Sequence, residues 1–154
     1  FCAMILKLIE DLKAERLAVI FDAGRRSFRN DIYPEYKAHR PEAPEELVPQ
    51  FPLIRDATRA FALPCIEMVG FEADDLIASY ARAAREAGQE VVIVSADKDL
   101  MQLVRDGVAL MDPMKAKRIG ADQVFEKFGV APDRAADVQA GDSLRFISFR
   151  EALA

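Results

Sequence analysis

Two spacings of apolar residues alternate along the chain. Ile5, Leu8, Ile9 and Leu12 recur three and four apart, which predicts an amphipathic helix over residues 2–14. Leu17-Ala-Val-Ile-Phe21 is instead a continuous apolar run, the pattern of a strand buried on both faces. Residues 31–38 are predicted as a short helix bounded by Pro41 and Pro44, and residues 45–62 as a helix that Pro49 and Pro52 bend or divide. Pro64 to Val69 is a predicted strand. The clearest helix is 72–87, with a stripe of Leu76, Ile77, Tyr80, Ala81 and Ala84 and a stop at Gly88. Val91–Val94 is a second buried strand. A short helix at 98–104, a strand near 108–111 and a turn at 115–118 into a short edge strand follow. Helices at about 121–128, ending at Gly129, and at 132–139 complete the pattern. Strands alternating with helices, without a repeat, predict an α/β fold with a mostly parallel sheet and right-handed crossovers. In such sheets the site lies beyond the carboxyl ends of the strands.

Composition narrows the class. With 154 residues, 51% hydrophobic and 31% charged, the chain has the makings of one folded domain rather than a disordered segment. No apolar run is long enough for a membrane span, and the first residues alternate apolar and charged without a cleavage-site pattern, so no membrane partner and no signal peptide are expected. Cys2 and Cys65 sit in no metal-ligand spacing, which argues against a disulfide scaffold or zinc site and makes a cytoplasmic location the default expectation. The net charge of −5 argues against a passive nucleic-acid binder, but the charge is segregated. Between Arg25 and Arg40, five bases (Arg25, Arg26, Arg29, Lys37, Arg40) face two acids (Asp31, Glu35), a local net of +3.

The acids fall where the sheet rule places chemistry. Asp22 directly follows the first predicted strand, and Asp97 and Asp99 follow Val91–Val94. Glu72, Asp74 and Asp75 open the longest helix. If that helix packs back on the sheet, these carboxylates converge. Such a cluster repels itself unless a cation neutralises it, and oxygen ligands without His or Cys call for Mg²⁺ or Mn²⁺. Two ions bridged by carboxylates would suit in-line attack on a phosphodiester. Each group also has a local explanation. First-turn acids suit the positive end of a helix dipole, Asp97 suits a helix N-cap, and Asp22 suits a turn. A calcium loop at Asp97-Lys-Asp99 lacks the required glycine and distal glutamate, and Met101 stands where an aspartate-phosphatase motif needs threonine.

The basic segment interleaves bases with aromatics: Phe28, Arg29, Tyr33, Tyr36, Lys37 and Arg40. The last four are spaced three and four apart, so a helix would present them on one face. Cations contact phosphates and aromatic faces stack on unpaired bases, which makes Arg25, Arg26, Phe28, Arg29, Tyr33 and Tyr36 candidate DNA contacts. Lys37 and Arg40 are the candidates for holding a scissile phosphate and offsetting its transition-state charge. Half-buried tyrosines packed on a core are the competing role for Tyr33 and Tyr36. Lys115, Lys117 and Arg118 read as a solvated hairpin, and His39 as a surface residue.

Phe21-Asp-Ala23, Ser27-Phe-Arg29, Tyr36-Lys-Ala-His-Arg40, Gly70-Phe-Glu-Ala-Asp-Asp-Leu76, Ser95-Ala-Asp-Lys-Asp-Leu-Met-Gln-Leu103 and Gly141-Asp-Ser143 occur in an order and spacing that resembles the 5′-nuclease domain of bacterial DNA polymerase I, the flap endonuclease family. The resemblance runs from about residue 1 to Ser143. It implies a PIN-like, resolvase-like α/β nuclease that uses divalent metal to remove 5′ flaps and RNA primers from duplex DNA in replication and repair, in a chain that can be fused to polymerase domains. It implies Asp22, Glu72, Asp74 and Asp75 around a first ion, and Asp97, Asp99 and Asp142 around a second. Lys37 and Arg40 match basic residues of an arch that threads the 5′ strand. Asp142, the arch and the flap come from the resemblance alone. Three departures stand out. The chain begins after the family's first strand, which carries another metal aspartate. Residues 144–154 do not match the helix-hairpin-helix module that follows Gly-Asp-Ser. The spacing before Gly141 is about two residues short. The expected organisation is therefore a nuclease domain over 1–143, incomplete at its start, and an unmatched amphipathic tail over 144–154. A PIN-type ribonuclease and a catalytically incompetent DNA-binding remnant are the alternatives.

Overall fold

In a computed structural model, residues 1–142 are described, with side chains described as far as Val138. They divide into two compact units, Phe1–Ala73 and a second from Asp74 onward. The first opens with α1 (Cys2–Leu12), which forms where the apolar spacing predicts and buries Ile5 and Leu8. It stops at Lys13, a left-handed residue whose N–H donates to the Ile9 carbonyl. β1 (Val19–Ile20) lies parallel to β2 (Cys65–Ile66), with Val19 opposite Cys65. Bonds from Val19 N to Pro64 O and from Phe21 N to Ile66 O extend the ladder by a residue at either end. Between them run α2 (Phe28–Ile32) and α3 (Gln50–Ala60).

Two predicted helices in this unit are corrected. The one expected over 31–38 lies earlier and is shorter. Tyr33 leaves helical geometry at φ −136°, as the residue before a proline is pushed to do. Turns closed by Tyr36 N to Tyr33 O, Ala38 N to Glu35 O and Arg40 N to Lys37 O follow. The one expected over 45–62 begins only at Gln50. Pro49 is its N-cap and Pro52 sits in its first turn, where a missing N–H costs no bond, so these prolines start the helix rather than bend it. The strand expected over 64–69 is reduced to Cys65–Ile66.

The second unit follows its pattern closely. α4 (Ala73–Glu86), which starts at the boundary, buries Leu76, Ala78 and Ala81. β3 (Val91–Val94) pairs in parallel with β4 (Val108–Asp112), Ile93 opposite Leu110. A 3-10 helix (Lys98–Leu103) lies between them in sequence. β5 (Lys117–Ile119) adds antiparallel to β4, and α5 (Ala121–Phe128) and α6 (Pro132–Asp142) follow. Gly129 ends α5 at φ +71°, a conformation that glycine adopts at little cost. Leu100, Leu110 and Val124 are almost wholly buried, among Ile93, Met101, Leu103, Val104, Val108 and Ala135. Each large aliphatic side chain there contributes about 2 kcal/mol by leaving water.

One expectation about the sheet is corrected. Asp22 and the Asp97–Asp99 pair were expected at the edge of a common sheet. Among the described residues β1 pairs with β2 and β3 with β4, so the acids follow strands of separate ladders, one in each unit. No helix among the described residues is long and apolar enough to cross a membrane.

Candidate active site

In the first unit the chemistry gathers around Glu72. Ser27 forms an isolated parallel bridge with Gly70, and Phe28 N donates to Gly70 O at 2.8 Å. Gly70 has φ +88° with open space where a Cβ would stand, so the backbone angle, not crowding, favours glycine there. This bridge brings the start of the basic segment beside Glu72. Asn30 then ties the segment together: its Oδ1 accepts from Ser27 N at 2.9 Å and its Nδ2 donates to Tyr36 O at 3.0 Å.

Four side chains of the segment converge on the Glu72 carboxylate. Lys37 Nζ donates to Oε2 at 2.8 Å and Tyr36 OH donates to the same oxygen at 3.3 Å. Ser27 Oγ donates to Oε1 at 3.3 Å, and Arg29 Nη1 lies 3.8 Å from Oε2. Arg29 is 3% exposed, its guanidinium 4.6 Å from the Phe28 ring centre and 5.9 Å from that of Tyr36. The expected DNA contact by Arg29 is therefore corrected: burial against two rings and a carboxylate removes it from any surface a strand could reach. Lys37 is half-buried and left-handed, at φ +56°. Burial alone would push its pKa down, but the hydrogen bond to Glu72, the Glu72 charge and the contact with Tyr36 outweigh it and raise the value. Burial and then the Glu72 charge raise that of Tyr36.

The other basic-segment candidates face water. Tyr33 is exposed and donates to Glu35 Oε2 at 2.9 Å, which raises its pKa. Arg26 pairs with Asp31 at 3.1 Å, both exposed. Arg25 donates to Arg40 O at 3.0 Å and lies 3.5 Å from Glu42. Arg40 and His39 are exposed, and Phe28 is partly buried with its ring 5.8 Å from that of Phe71. The single helical face expected for Tyr33, Tyr36, Lys37 and Arg40 is replaced by turns, which point Lys37 and Tyr36 inward and leave Tyr33 and Arg40 outside.

Asp22, expected in a turn, instead reaches across the unit. Its Oδ1 accepts from Ala73 N at 2.7 Å, capping the start of α4. Sequence reasoning missed the residue that seats it. Arg55 Nη2 donates to Asp22 O at 2.7 Å, its Nε pairs with Glu67 Oε2 at 2.7 Å, and its guanidinium lies 5.1 Å from the Phe21 ring centre. Nothing in the spacing around Arg55 announces this, because these three partners are 12 to 34 residues away in sequence.

In the second unit Asp97 caps the 3-10 helix, its Oδ1 accepting from Asp99 N at 2.9 Å. Ser95 Oγ, also missed, accepts from Asp97 N at 3.0 Å. Asp75 is 4% exposed and Asp74 half-buried in the first turn of α4. Ser95 and Ala96 border an open cavity of about 490 Å³, lined also by Asp112, Lys115, Lys117 and Lys127. The side chain of Asp142 and the whole of 144–154 lie outside the described residues. The oxygen-only donor set has the chemistry of a Mg²⁺ or Mn²⁺ site. Among the described residues, however, no three of these acids come together to hold an ion, and the Glu72 carboxylate is already taken up by donors.

A family model described as the 5′-3′ exonuclease, N-terminal resolvase-like domain, matches residues 1–129. DNA polymerase I of Rhizobium leguminosarum is 55% identical over 153 residues, spanning 94% of this chain and 15% of that protein. A 5′-3′ exonuclease of Aquifex aeolicus (strain VF5) is 39% identical over 140 residues, spanning 91% of this chain and 48% of that one. The chain thus matches less than half the length of either relative. Among solved structures, the T5 D15 protein co-crystallised with metal ions superposes with a TM-score of 0.77 at 23% identity, over 98% of this chain and 64% of that one. That likeness gives the fold, a PIN-like α/β arrangement.

Proposed function

The chain belongs to the family of 5′-3′ exonuclease N-terminal resolvase-like domains, and from that premise we propose that it is the nuclease portion of a cytoplasmic, divalent-metal-dependent enzyme that hydrolyses phosphodiester bonds at the 5′ ends or flaps of DNA. The observation that carries this reading is the meeting of the basic segment with the acid motif: Lys37 Nζ stands 2.8 Å from Glu72. A phosphodiester needs cations for its oxygens, and Lys37 and Arg40 supply them on a segment that also exposes Tyr33 for stacking on an unpaired base. Hydrolysis adds water to phosphorus and expels the 3′ oxygen. Lys37 and Arg40, held against the phosphate, would offset the charge that builds in that step. The metal requirement, Mg²⁺ or Mn²⁺ with two ions, is proposed from the oxygen-only acids and from the T5 D15 protein's having been co-crystallised with metal ions.

The test offers end-labelled substrates with Mg²⁺ or EDTA, both to this chain and to a polypeptide of its relatives' length that contains it. Metal-dependent release of a 5′ flap from duplex DNA is the expected result. Preferential cutting of single-stranded RNA would make it a PIN-type ribonuclease. Binding of DNA without cleavage by either polypeptide would leave a DNA-binding remnant.

A further inference from the structure

The cavity of the second unit is built by side chains that periodicity brings to one place. In the β4–β5 ladder Leu110 stands opposite Ile119 and Asp112 opposite Lys117, so these four share a face, while Met111 and Arg118 take the other. Gln123, Glu126 and Lys127 are three and four apart on α5 and line the same cavity. Ser95, directly after β3, borders it, and its N–H donates to Met111 O at 3.0 Å near the end of β4. The cavity therefore lies beyond the carboxyl ends of two parallel strands, where open α/β sheets hold their ligands. Its volume of about 490 Å³ falls in the range of roughly 300–1,000 Å³ that takes a small organic ligand.

The polar groups around it are left to donate. Ser95 Oγ accepts from Asp97 N, which leaves its hydroxyl proton. Gln123 Oε1 accepts from Gly120 N at 2.8 Å, which leaves its amide N–H groups. Asp112 and Lys115 answer each other: Asp112 Oδ1 accepts from Met114 N at 2.8 Å and Lys115 N at 3.2 Å, and its Oδ2 lies 3.8 Å from Lys115 Nζ. Lys117 and Lys127 pair with no carboxylate among the described residues, and Lys127 Nζ lies 5.6 Å from the centre of the Phe128 ring. Two ammonium groups, a hydroxyl and an amide thus border the cavity, with Glu126 as the opposing charge, and Met101, Leu110 and Ile119 give it an apolar wall. Donors beside an apolar wall suit a ligand that is anionic at one end and a flat ring at the other.

We propose that this cavity binds one nucleotide unit, its phosphate held by Lys117 and Lys127 and its base laid on Met101, Leu110 and Ile119. A free mononucleotide and one residue of a strand present the same phosphate and ring. That this phosphate comes from a nucleic acid being cut rests on the nuclease reading, whereas the site itself stands without it.

The test uses the full chain in EDTA, so that no metal takes part and nothing is cut. Amide signals in ¹⁵N-edited spectra are followed during titration with a nucleoside 5′-monophosphate, the bare nucleoside, inorganic phosphate and a single-stranded oligonucleotide. The monophosphate should shift the amides of Ser95, Ile119 and Gln123 saturably, and should bind more tightly than the nucleoside or phosphate alone. Competition by the oligonucleotide at the same amides supports the site as part of a strand's path. Saturable binding of the monophosphate without that competition supports it as a site for the free nucleotide. Lys117→Met combined with Lys127→Met should weaken the monophosphate on the order of tenfold, through lost charge-assisted hydrogen bonds. Glu126→Gln should tighten it, and Lys7→Met, which removes an exposed charge from α1, should leave it unchanged. Unchanged affinity in the double lysine variant overturns the proposal, as does an equal loss in Lys7→Met. Shifts confined to residues 25–40, or inorganic phosphate binding as tightly as the monophosphate, overturn it too. Failure to cleave DNA with Mg²⁺ bears on the nuclease reading and leaves these outcomes standing.

Discussion

The two units bury different chemistry. From Asp74 onward the interior is aliphatic, built on Leu100, Leu110, Val124 and their neighbours, with Asp75 as the charged exception among the described residues. In Phe1–Ala73 the buried apolar residues are Ile5 and Leu8, and beside them Ser27, Arg29 and Thr58 are equally withdrawn from water. The hydrophobic effect is non-directional and indifferent to pH, whereas a buried ion network holds only while each member keeps its charge and partner. The second unit is therefore organised for stability, and the first for a particular placement of charges.

Substitutions should separate these two principles. The largest effect is expected at Leu110→Ala, about 4 kcal/mol in urea denaturation, from lost transfer energy and a residual cavity. A cost below about 1 kcal/mol would mean that the core collapses freely. Glu72→Ala should cost about 3 kcal/mol, because it takes the carboxylate away from the buried Arg29 and the half-buried Lys37 at once. A stabilised variant would show the first unit to be held by packing after all. Lys37→Ala should slow cleavage at saturating substrate about a hundredfold, since its charge is needed most in the transition state. Weaker binding with unchanged turnover would make Lys37 an anchor. Asp97→Ala should lose about 1 kcal/mol, the worth of a helix cap, alongside any loss of activity.

The smallest effect is a pH drift confined to the first unit. Lys37 and Tyr36 both hold their protons more tightly in the folded state. The stabilisation is complete below their ordinary values of about 10 and is lost as pH rises through the raised ones. Denaturation midpoints measured from pH 9 upward should fall, and the decline should be shallower in Lys37→Met.

The same contrast explains what was legible in the sequence. α5 forms over 121–128 and stops at Gly129 as its apolar spacing and glycine indicate, and β3 is the Val91–Val94 run itself, because each is fixed by near neighbours and burial. The basic segment was misjudged because Tyr33, Tyr36, Lys37 and Arg40 have the three- and four-residue spacing of a helical face, whereas successive turns, closed from Tyr33 to Tyr36, Glu35 to Ala38 and Lys37 to Arg40, occupy that stretch. Pro34 and the left-handed Lys37 decide against the helix. Residue types named both Lys37 and Glu72 as candidates, but their contact spans 35 positions and no local pattern encodes it. The cap made by Asp97 was among the local roles its residue type allowed, whereas Asp22, expected in a turn, reaches Ala73 across 51 positions that no local pattern encodes.

Arg55 shows how narrow the tolerance of such a scaffold is. One flat cation reaches a carbonyl on the loop after β1, a carboxylate just beyond β2, the Phe51 carbonyl within its own helix and the face of Phe21. A lysine carries the same charge but ends in a single point and has no plane to lay on a ring. Exchange of this arginine for lysine would conserve charge and length while unfastening three segments at once, and Asp22, whose own carbonyl Arg55 holds, would be the first acid to drift.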